Sequence, residues 1–295
     1  MSTHRCGTVG ITGRPNVGKS SLINRLVGQK LSIVSPKAQT TRHLITAILT
    51  TQDAQLVFVD APGRPARARS ALQRTLGRRA GEAARDCDVA LFVVEAMRLE
   101  AGDHAALDAI PAEQKIVVAV NKVDRVRAAA RLLPFIDRLA RLRAFDAVVP
   151  VSARTGRNLP TLLRVLTDAV PESPALYPAD QLTDRDERFF AAELLREKLF
   201  YALGEELPYR CEVTIDSFRL DGALRRVDAT ILTERESQKG IVVGRGGATL
   251  KRVARDARQD MERLFGGKVY LNVWVKVRDN WTDDLRVLQQ LGYVG

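Results

Sequence analysis

Cysteine is scarce in this 295-residue chain: Cys6, Cys87 and Cys211 lie far apart and form no C-x-x-C pair. That excludes a disulfide framework and a cysteine zinc site, and it fits a reducing compartment. Long apolar runs are missing as well, and Met1 to Gly7 lacks the apolar stretch of a secretory signal. An exported or membrane-spanning protein is therefore not expected, and the expected location is cytoplasmic. Acid is in deficit. Against 46 Lys and Arg stand 35 Asp and Glu, a net charge of +11, which favours polyanionic partners unless the charge is merely solvated. Residues 1–180 hold 26 basic and 16 acidic side chains, residues 181–295 hold 20 and 19, so bulk charge says nothing about the second half. Apolar residues make up 45% of the chain, enough for ordinary cores, and the length suggests two domains.

What is present is organised around Gly13-Arg14-Pro15-Asn16-Val17-Gly18-Lys19-Ser20, which satisfies G-x-x-x-x-G-K-[ST]. A strand-like Thr8-Val9-Gly10-Ile11 precedes it and a helical pattern from Ser21 to Leu26 follows, the order that a phosphate-binding loop requires. The glycines let successive N–H groups face phosphate oxygens, and the helix adds its positive end. Lys19 is expected at the β- and γ-phosphates and the Ser20 hydroxyl on Mg²⁺, with Ser21 closing the loop.

Between the first helix and the strand-like Leu44-Ile45-Thr46-Ala47-Ile48 lies a polar stretch containing Thr40 and Thr41. One of these is expected to close over Mg²⁺ only while a γ-phosphate is present, Thr41 first and Thr40 as the alternative. The apolar run Leu56-Val57-Phe58-Val59 ends in Asp60-Ala61-Pro62-Gly63. Asp60 then stands at the carboxyl end of a strand, where open α/β sheets place their ligands. It is expected to hold Mg²⁺ through water, and the Gly63 N–H to sense the γ-phosphate. Residues 64–85 carry seven arginines (64, 67, 69, 74, 78, 79 and 85) against one acid, Glu82. This reads equally as a solvated face or as a nucleotide-gated contact with a phosphate backbone.

Val89 to Val94 and Ile116 to Val120 are continuous apolar runs, as central strands buried on both faces require. The second leads into Asn121-Lys122-Val123-Asp124. A carboxylate at Asp124 accepts from both guanine N1–H and N2–H₂, whereas adenine would leave it unpaired. Asn121 is expected to tie this turn to the phosphate loop, and the Lys122 stem to lie along the base. Ser152-Ala153-Arg154 then supplies a backbone N–H for guanine O6. Together these elements predict a GTP/GDP and Mg²⁺ site in a P-loop NTPase fold, an α/β domain with a central, mostly parallel sheet. No glutamine follows Gly63, so slow turnover by in-line attack of water is expected.

Three prolines between Pro171 and Pro178 break regular structure. The expected division is a nucleotide-binding domain over 1–172, a linker over 173–186 and an α+β domain over 187–295 with a C-terminal helix. In the last, residues 187–203 read as a helix, residues 212–218 and 226–231 alternate as strands, and Val269 to Lys276 reads as another. Gly240-Ile241-Val242-Val243-Gly244-Arg245-Gly246-Gly247 and a helix from Ala248 to Phe265 lie between them. Two helices joined by G-x-x-G in this order predict a type II KH domain, which clamps about four nucleotides. Gly244, Arg245, Gly246 and Gly247 form the expected clamp. Gly240 and the apolar Ile241, Val242 and Val243 line the groove, and Lys251, Arg252, Arg255 and Arg258 supply positive charge.

The phosphate loop, Gln39-Thr40-Thr41-Arg42-His43, Asn121-Lys122-Val123-Asp124, Lys239-Gly240-Ile241-Val242-Val243-Gly244 and Leu271-Asn272-Val273-Trp274-Val275-Lys276-Val277 resemble the Era family of bacterial ribosome-assembly GTPases over nearly the whole length. The resemblance implies a monomer that binds the 3′ end of 16S rRNA and the 30S subunit, not DNA. It further implies RNA binding in the GTP state, release on hydrolysis, and peripheral contact with the cytoplasmic membrane face. Asn16 resembles an asparagine that ligates K⁺ in related GTPases. One departure is Asp60-Ala61-Pro62-Gly63-Arg64, where the family has Asp-Thr-Pro-Gly followed by an apolar residue. Two other readings stay open: a GTP-gated switch with negligible catalysis, and a GTPase whose second domain docks protein or membrane.

Overall fold

The computed structural model describes residues 4–35, 37, 40–62, 70–204 and 206–293. Two compact units make up the chain: Met1–Ser32, Thr41–Arg67 and Leu76–Asp184 form the first, and Ile33–Thr40, Ala68–Thr75 and Arg185–Gly295 the second.

The first unit runs β1 (Arg5–Thr12), α1 (Lys19–Val27), β2 (Ile45–Thr50), β3 (Ala54–Asp60), α2 (Ala71–Arg85, its first turn in the second unit), β4 (Val89–Glu95), α3 (Ala101–Asp108), β5 (Lys115–Asn121), α4 (Leu132–Ala140), β6 (Ala147–Pro150) and α5 (Leu159–Ala169). Its six-stranded sheet has the order β2-β3-β1-β4-β5-β6, antiparallel only at β2. The apolar runs account for this. Phe58 on β3, Val89 to Val94 on β4 and Val117 to Val120 on β5 are fully or almost fully buried, because helices cover both faces of a parallel sheet. β1 lies between β3 and β4, so the loop after it opens at a topological switch point. The registers Ile11 with Asp60 and Glu95 with Asn121 bring three polar residues to that same carboxyl edge.

The second unit contains α6 (Glu187–Ala202), β7 (Glu212–Asp221), β8 (Leu224–Thr233), α7 (Glu236–Val243), α8 (Ala248–Phe265), β9 (Val269–Val277) and α9 (Leu285–Gln290). β8 pairs with β7 antiparallel and with β9 parallel. Alternate residues Val213, Ile215, Val227, Ala229 and Ile231 face a core completed by Leu195 and Leu199 of α6 and Val253 and Met261 of α8. This is the expected α-β-β-α-α-β order. β7 and β8 run further than their apolar alternation suggests, since a polar hairpin closed by the Asp221 to Leu224 pair continues the ladder. The C-terminal helix is short and capped by the Asp284 carboxylate, which accepts from the Arg286 N–H at 2.9 Å. Among the described residues no helix is long and apolar enough to cross a membrane.

Candidate functional site

The phosphate loop is held from below. Gly18 has φ 102°, and a Cβ there would lie 2.4 Å from Asn121 Nδ2, so only glycine fits. Asn121 Nδ2 donates to the Val17 carbonyl at 2.9 Å, while its Oδ1 accepts from the Ala153 N–H at 3.0 Å. One side chain thus ties the loop, the end of β5 and the Ser152-Ala153-Arg154 turn together. Lys19 Nζ donates to the carbonyls of Gly13 and Arg14 at 2.8 and 2.9 Å. Desolvation pushes its pKa down to about 8, against the attraction of Asp60 and Asp103.

Beside Lys19, Ser20 Oγ donates to Asp60 Oδ2 at 3.0 Å and lies 3.4 Å from Thr41 Oγ1. Asp60 is fully buried, and its Oδ1 has no hydrogen-bond partner among the described residues. Burial pushes this carboxyl up, opposed by Lys19 and the Ser20 hydroxyl. An orphaned buried carboxylate oxygen beside two hydroxyls, all hard oxygen donors, fits Mg²⁺. Thr40 is turned elsewhere: its Oγ1 donates to the Lys37 carbonyl at 2.9 Å and lies 2.6 Å from Ser35 Oγ. The structure therefore brings Thr41, not Thr40, to Ser20 and Asp60. Gly63 and Arg64, Arg67 and Arg69 lie outside the described residues, and the other four arginines of that segment lie on α2.

At the far end of the crevice Asp124 accepts from Ser152 Oγ at 2.6 Å and from Arg154 Nε at 2.8 Å. The Ser152 hydroxyl, then Arg154, hold its carboxyl below the usual range. The Ser152 N–H donates to the Arg157 carbonyl and the Ala153 N–H is taken by Asn121. That leaves the Arg154 N–H without an acceptor among the described residues. Lys122 Nζ donates to the Asn16 carbonyl at 2.7 Å and to Glu95 Oε2 at 2.8 Å. Asn16 itself has φ 63° and is exposed.

Glu95 and Asp103 belong to no motif, and Arg14 of the phosphate loop brings them together. Arg14 turns its side chain away from the loop, donating to Asp103 Oδ2 at 3.0 Å and to Glu95 Oε2 at 3.3 Å. Only its backbone is left to face phosphate. Burial works against the Glu95 charge, but Lys122, Arg14 and Arg125 together hold its carboxyl below the usual range. The one available signal is position, since Glu95 ends an apolar strand just as Asp60 does.

In the second unit, Gly244 has φ 74°, and a Cβ on it would meet Thr249 Oγ1 at 2.3 Å. Gly246 and Gly247 also have positive φ, with Arg245 exposed between them and Gly244. Lys251 and Arg252 on α8 are exposed with no acidic partner among the described residues. Arg255 pairs with Asp256 at 2.9 Å and Arg258 with Glu262 at 2.9 Å. One expectation is corrected: Val242 does not line a groove, because it is fully buried in the core with Val253 and Ala257. Ile241 beside it is 58% exposed, so the outward face of α7 is narrower than three consecutive apolar residues imply.

A family described as 50S ribosome-binding GTPase matches residues 8–122, and a KH domain family matches residues 206–282. GTPase Era of Nitrosomonas eutropha is 48% identical over 292 residues, 99% of each chain. The protein of the same name from Chromobacterium violaceum is 48% identical over 97% of each chain. Among solved structures, an Era variant from Aquifex aeolicus bound to GDP·AlF4⁻ superposes with a TM-score of 0.94 at 33% identity, covering 99% of this chain and all of that one. Era in complex with MgGDPNP and nucleotides 1506–1542 of 16S ribosomal RNA superposes with a TM-score of 0.93, also at 33% identity, over 99% of this chain and 100% of that one.

Proposed function

The chain belongs to the Era family of GTPases, and from that premise we propose a GTP hydrolase that holds the 3′ region of 16S rRNA on the small ribosomal subunit and assists its maturation. The observation that carries the nucleotide half is the shared carboxyl edge: Asp60 and Asn121 end β3 and β5 of one mostly parallel sheet, and Ser20 and Asp124 come to the same crevice. Asp124 selects guanine. The backbone N–H groups between Gly13 and Ser21, Pro15 having none, cradle the phosphates, and the Lys19 ammonium moves from the loop carbonyls to the β- and γ-phosphate oxygens. Ser20, Thr41 and Asp60 would hold Mg²⁺, which when bound neutralises phosphate charge. Water attacks the γ-phosphorus in line, and GDP and phosphate leave. Without a glutamine after Gly63 to orient that water, intrinsic turnover is slow. We assign Asn16 to K⁺. Equal rates in K⁺ and Na⁺ at matched ionic strength would remove that assignment.

The RNA half rests on the G-x-x-G turn with its exposed Arg245, Lys251 and Arg252, the setting in which KH modules hold unpaired nucleotides. GTP-bound protein is the RNA-competent state, and hydrolysis releases it. Footprinting on small subunits with a non-hydrolysable GTP analogue and with GDP tests this. Protection of the 3′ end with the analogue only is the expected result, and identical footprints would break the coupling.

A further inference from the structure

The outer face of the β7-β8-β9 sheet, opposite the helices α6 and α8, carries two large exposed aromatics. Parallel register sets Arg226 beside Tyr270, Asp228 beside Asn272, Thr230 beside Trp274 and Leu232 beside Lys276. Tyr270 and Trp274 are each 48% exposed, although large aromatics ordinarily bury most of their surface. They share one face of β9 and stand about 13 Å apart at four strand positions. The Arg226 guanidinium lies over the Tyr270 ring, 5.5 Å from its centroid, and fixes that ring in place. Beyond Trp274 the face ends in a pocket of about 270 Å³, where Thr214, Asp216 and Thr230 meet Lys276, Arg278 and the apolar Leu291 of the α9 end.

The unpaired cations at one end of this face decide which partner fits. The acids on this face are engaged by neighbours: Asp216 accepts from Thr230 at 2.6 Å, Asp228 from Asn272 at 3.0 Å, and Asp221 from Arg226 at 2.8 Å. Lys276 and Arg278 are exposed with no acidic partner among the described residues. Flat aromatic faces alternating with cations are how proteins hold unpaired nucleotides, each ring taking a base and each cation a phosphate.

We propose that this sheet face is a second RNA surface, separate from the G-x-x-G groove, on which unpaired bases stack on Tyr270 and Trp274 while Lys276 and Arg278 hold the adjoining phosphates. It rests on the RNA reading above and adds a site to it.

The chain's two tryptophans supply the test. Trp281 is fully buried and donates to the Arg210 carbonyl at 3.0 Å, so it serves as a silent reference for Trp274. Full-length protein loaded with MgGDPNP is titrated with RNA of nucleotides 1506–1542 of 16S rRNA, following fluorescence and affinity. Quenching is expected, and Trp274→Phe should abolish it while keeping most of the affinity. Tyr270→Ala, Trp274→Ala and Lys276→Glu should each weaken binding, the aromatic changes by roughly ten-fold. If these variants melt like the wild type yet bind with unchanged affinity and Trp274 stays unquenched, the proposal falls. Should Gly246→Asp then abolish binding, the groove reading survives alone. If Gly246→Asp binds normally and the aromatic variants do not, the sheet face stands and the groove reading falls. Quenching by anionic phosphatidylglycerol vesicles and not by RNA would overturn the proposal in favour of a lipid surface.

Discussion

Arg154 and Asp124 form an ion pair, with Nη2 2.8 Å from Oδ2, on the very carboxylate that the base assignment reserves for guanine. The Arg154 side chain is 76% exposed although Asp124 is 8% exposed, and a pair whose cation stands in solvent is worth about 1 kcal/mol. Arg154→Ala should therefore shift GTP affinity by less than about five-fold. Asp124→Asn is another matter, because the amide replaces one acceptor by a donor that faces the guanine amino group. GTP affinity should fall by about a hundred-fold or more. The same amide matches the C2 carbonyl of xanthine, so xanthosine triphosphate should become the better ligand. Calorimetric titration with both nucleotides reads this directly, and continued preference for GTP would refute the base assignment.

Asn121 carries a different load. It is almost fully buried, and removing its amide leaves the Val17 carbonyl and the Ala153 N–H without their partner. Each abandoned group costs about 1–3 kcal/mol. Asn121→Ala should lower the melting temperature of the nucleotide-free protein by roughly 10 °C for a domain of this size, besides weakening nucleotide binding. Scanning calorimetry without nucleotide separates the two effects. Unchanged melting would mean that the tether matters only in the complex.

Lys19 sets a pH dependence. In the nucleotide-free protein its pKa is lowered to about 8, whereas phosphate oxygens around the ammonium favour the charged form. Below pH 8 the lysine is already charged and binding takes up no proton at this group. Above pH 8 it is increasingly neutral, so binding must protonate it, and affinity for GTP should fall by up to about ten-fold per pH unit until the pKa of the complex is reached. Calorimetry at pH 8.5 in buffers of different ionisation enthalpy should show uptake of a fraction of a proton. Lys19→Arg, which stays charged, should show none from this position.

Lys19, Ser20, Thr41, Asp60, Asn121 and Asp124 come together along one crevice, and the reason is that their chemistry sits in contiguous stretches. An apolar strand ending in Asp60 or Asn121 announces a carboxyl edge without any knowledge of the fold. Glu95 and Asp103 carry no such signature. Their meaning depends on the β4-β5 register and on Arg14 reaching across 89 positions of sequence, which no local pattern encodes. Thr40 and Thr41 are chemically alike, and only the path of the chain turns one towards Ser20 and the other towards Ser35. Val242 departs from the groove expectation for a geometric reason: three apolar neighbours look like one surface, but on a helix adjacent side chains point about 100° apart.

That same geometry yields a paired test in α7. Val242 is fully buried against Val253 and Ala257, so Val242→Ala should destabilise the second unit by about 2 kcal/mol through lost burial and the cavity left behind. RNA affinity per folded molecule should not change. Ile241, exposed on the preceding position, should behave the opposite way. Ile241→Ala removes little buried surface and should leave the melting temperature within about a degree, yet weaken binding of an unpaired oligoribonucleotide if α7 lines the groove. Thermal melts and fluorescence anisotropy on both variants give four numbers. A stability loss confined to Val242→Ala with an affinity loss confined to Ile241→Ala places RNA on the outward face of α7. Equal RNA affinity in wild type and Ile241→Ala would move the contact to the glycine turn and the cations of α8.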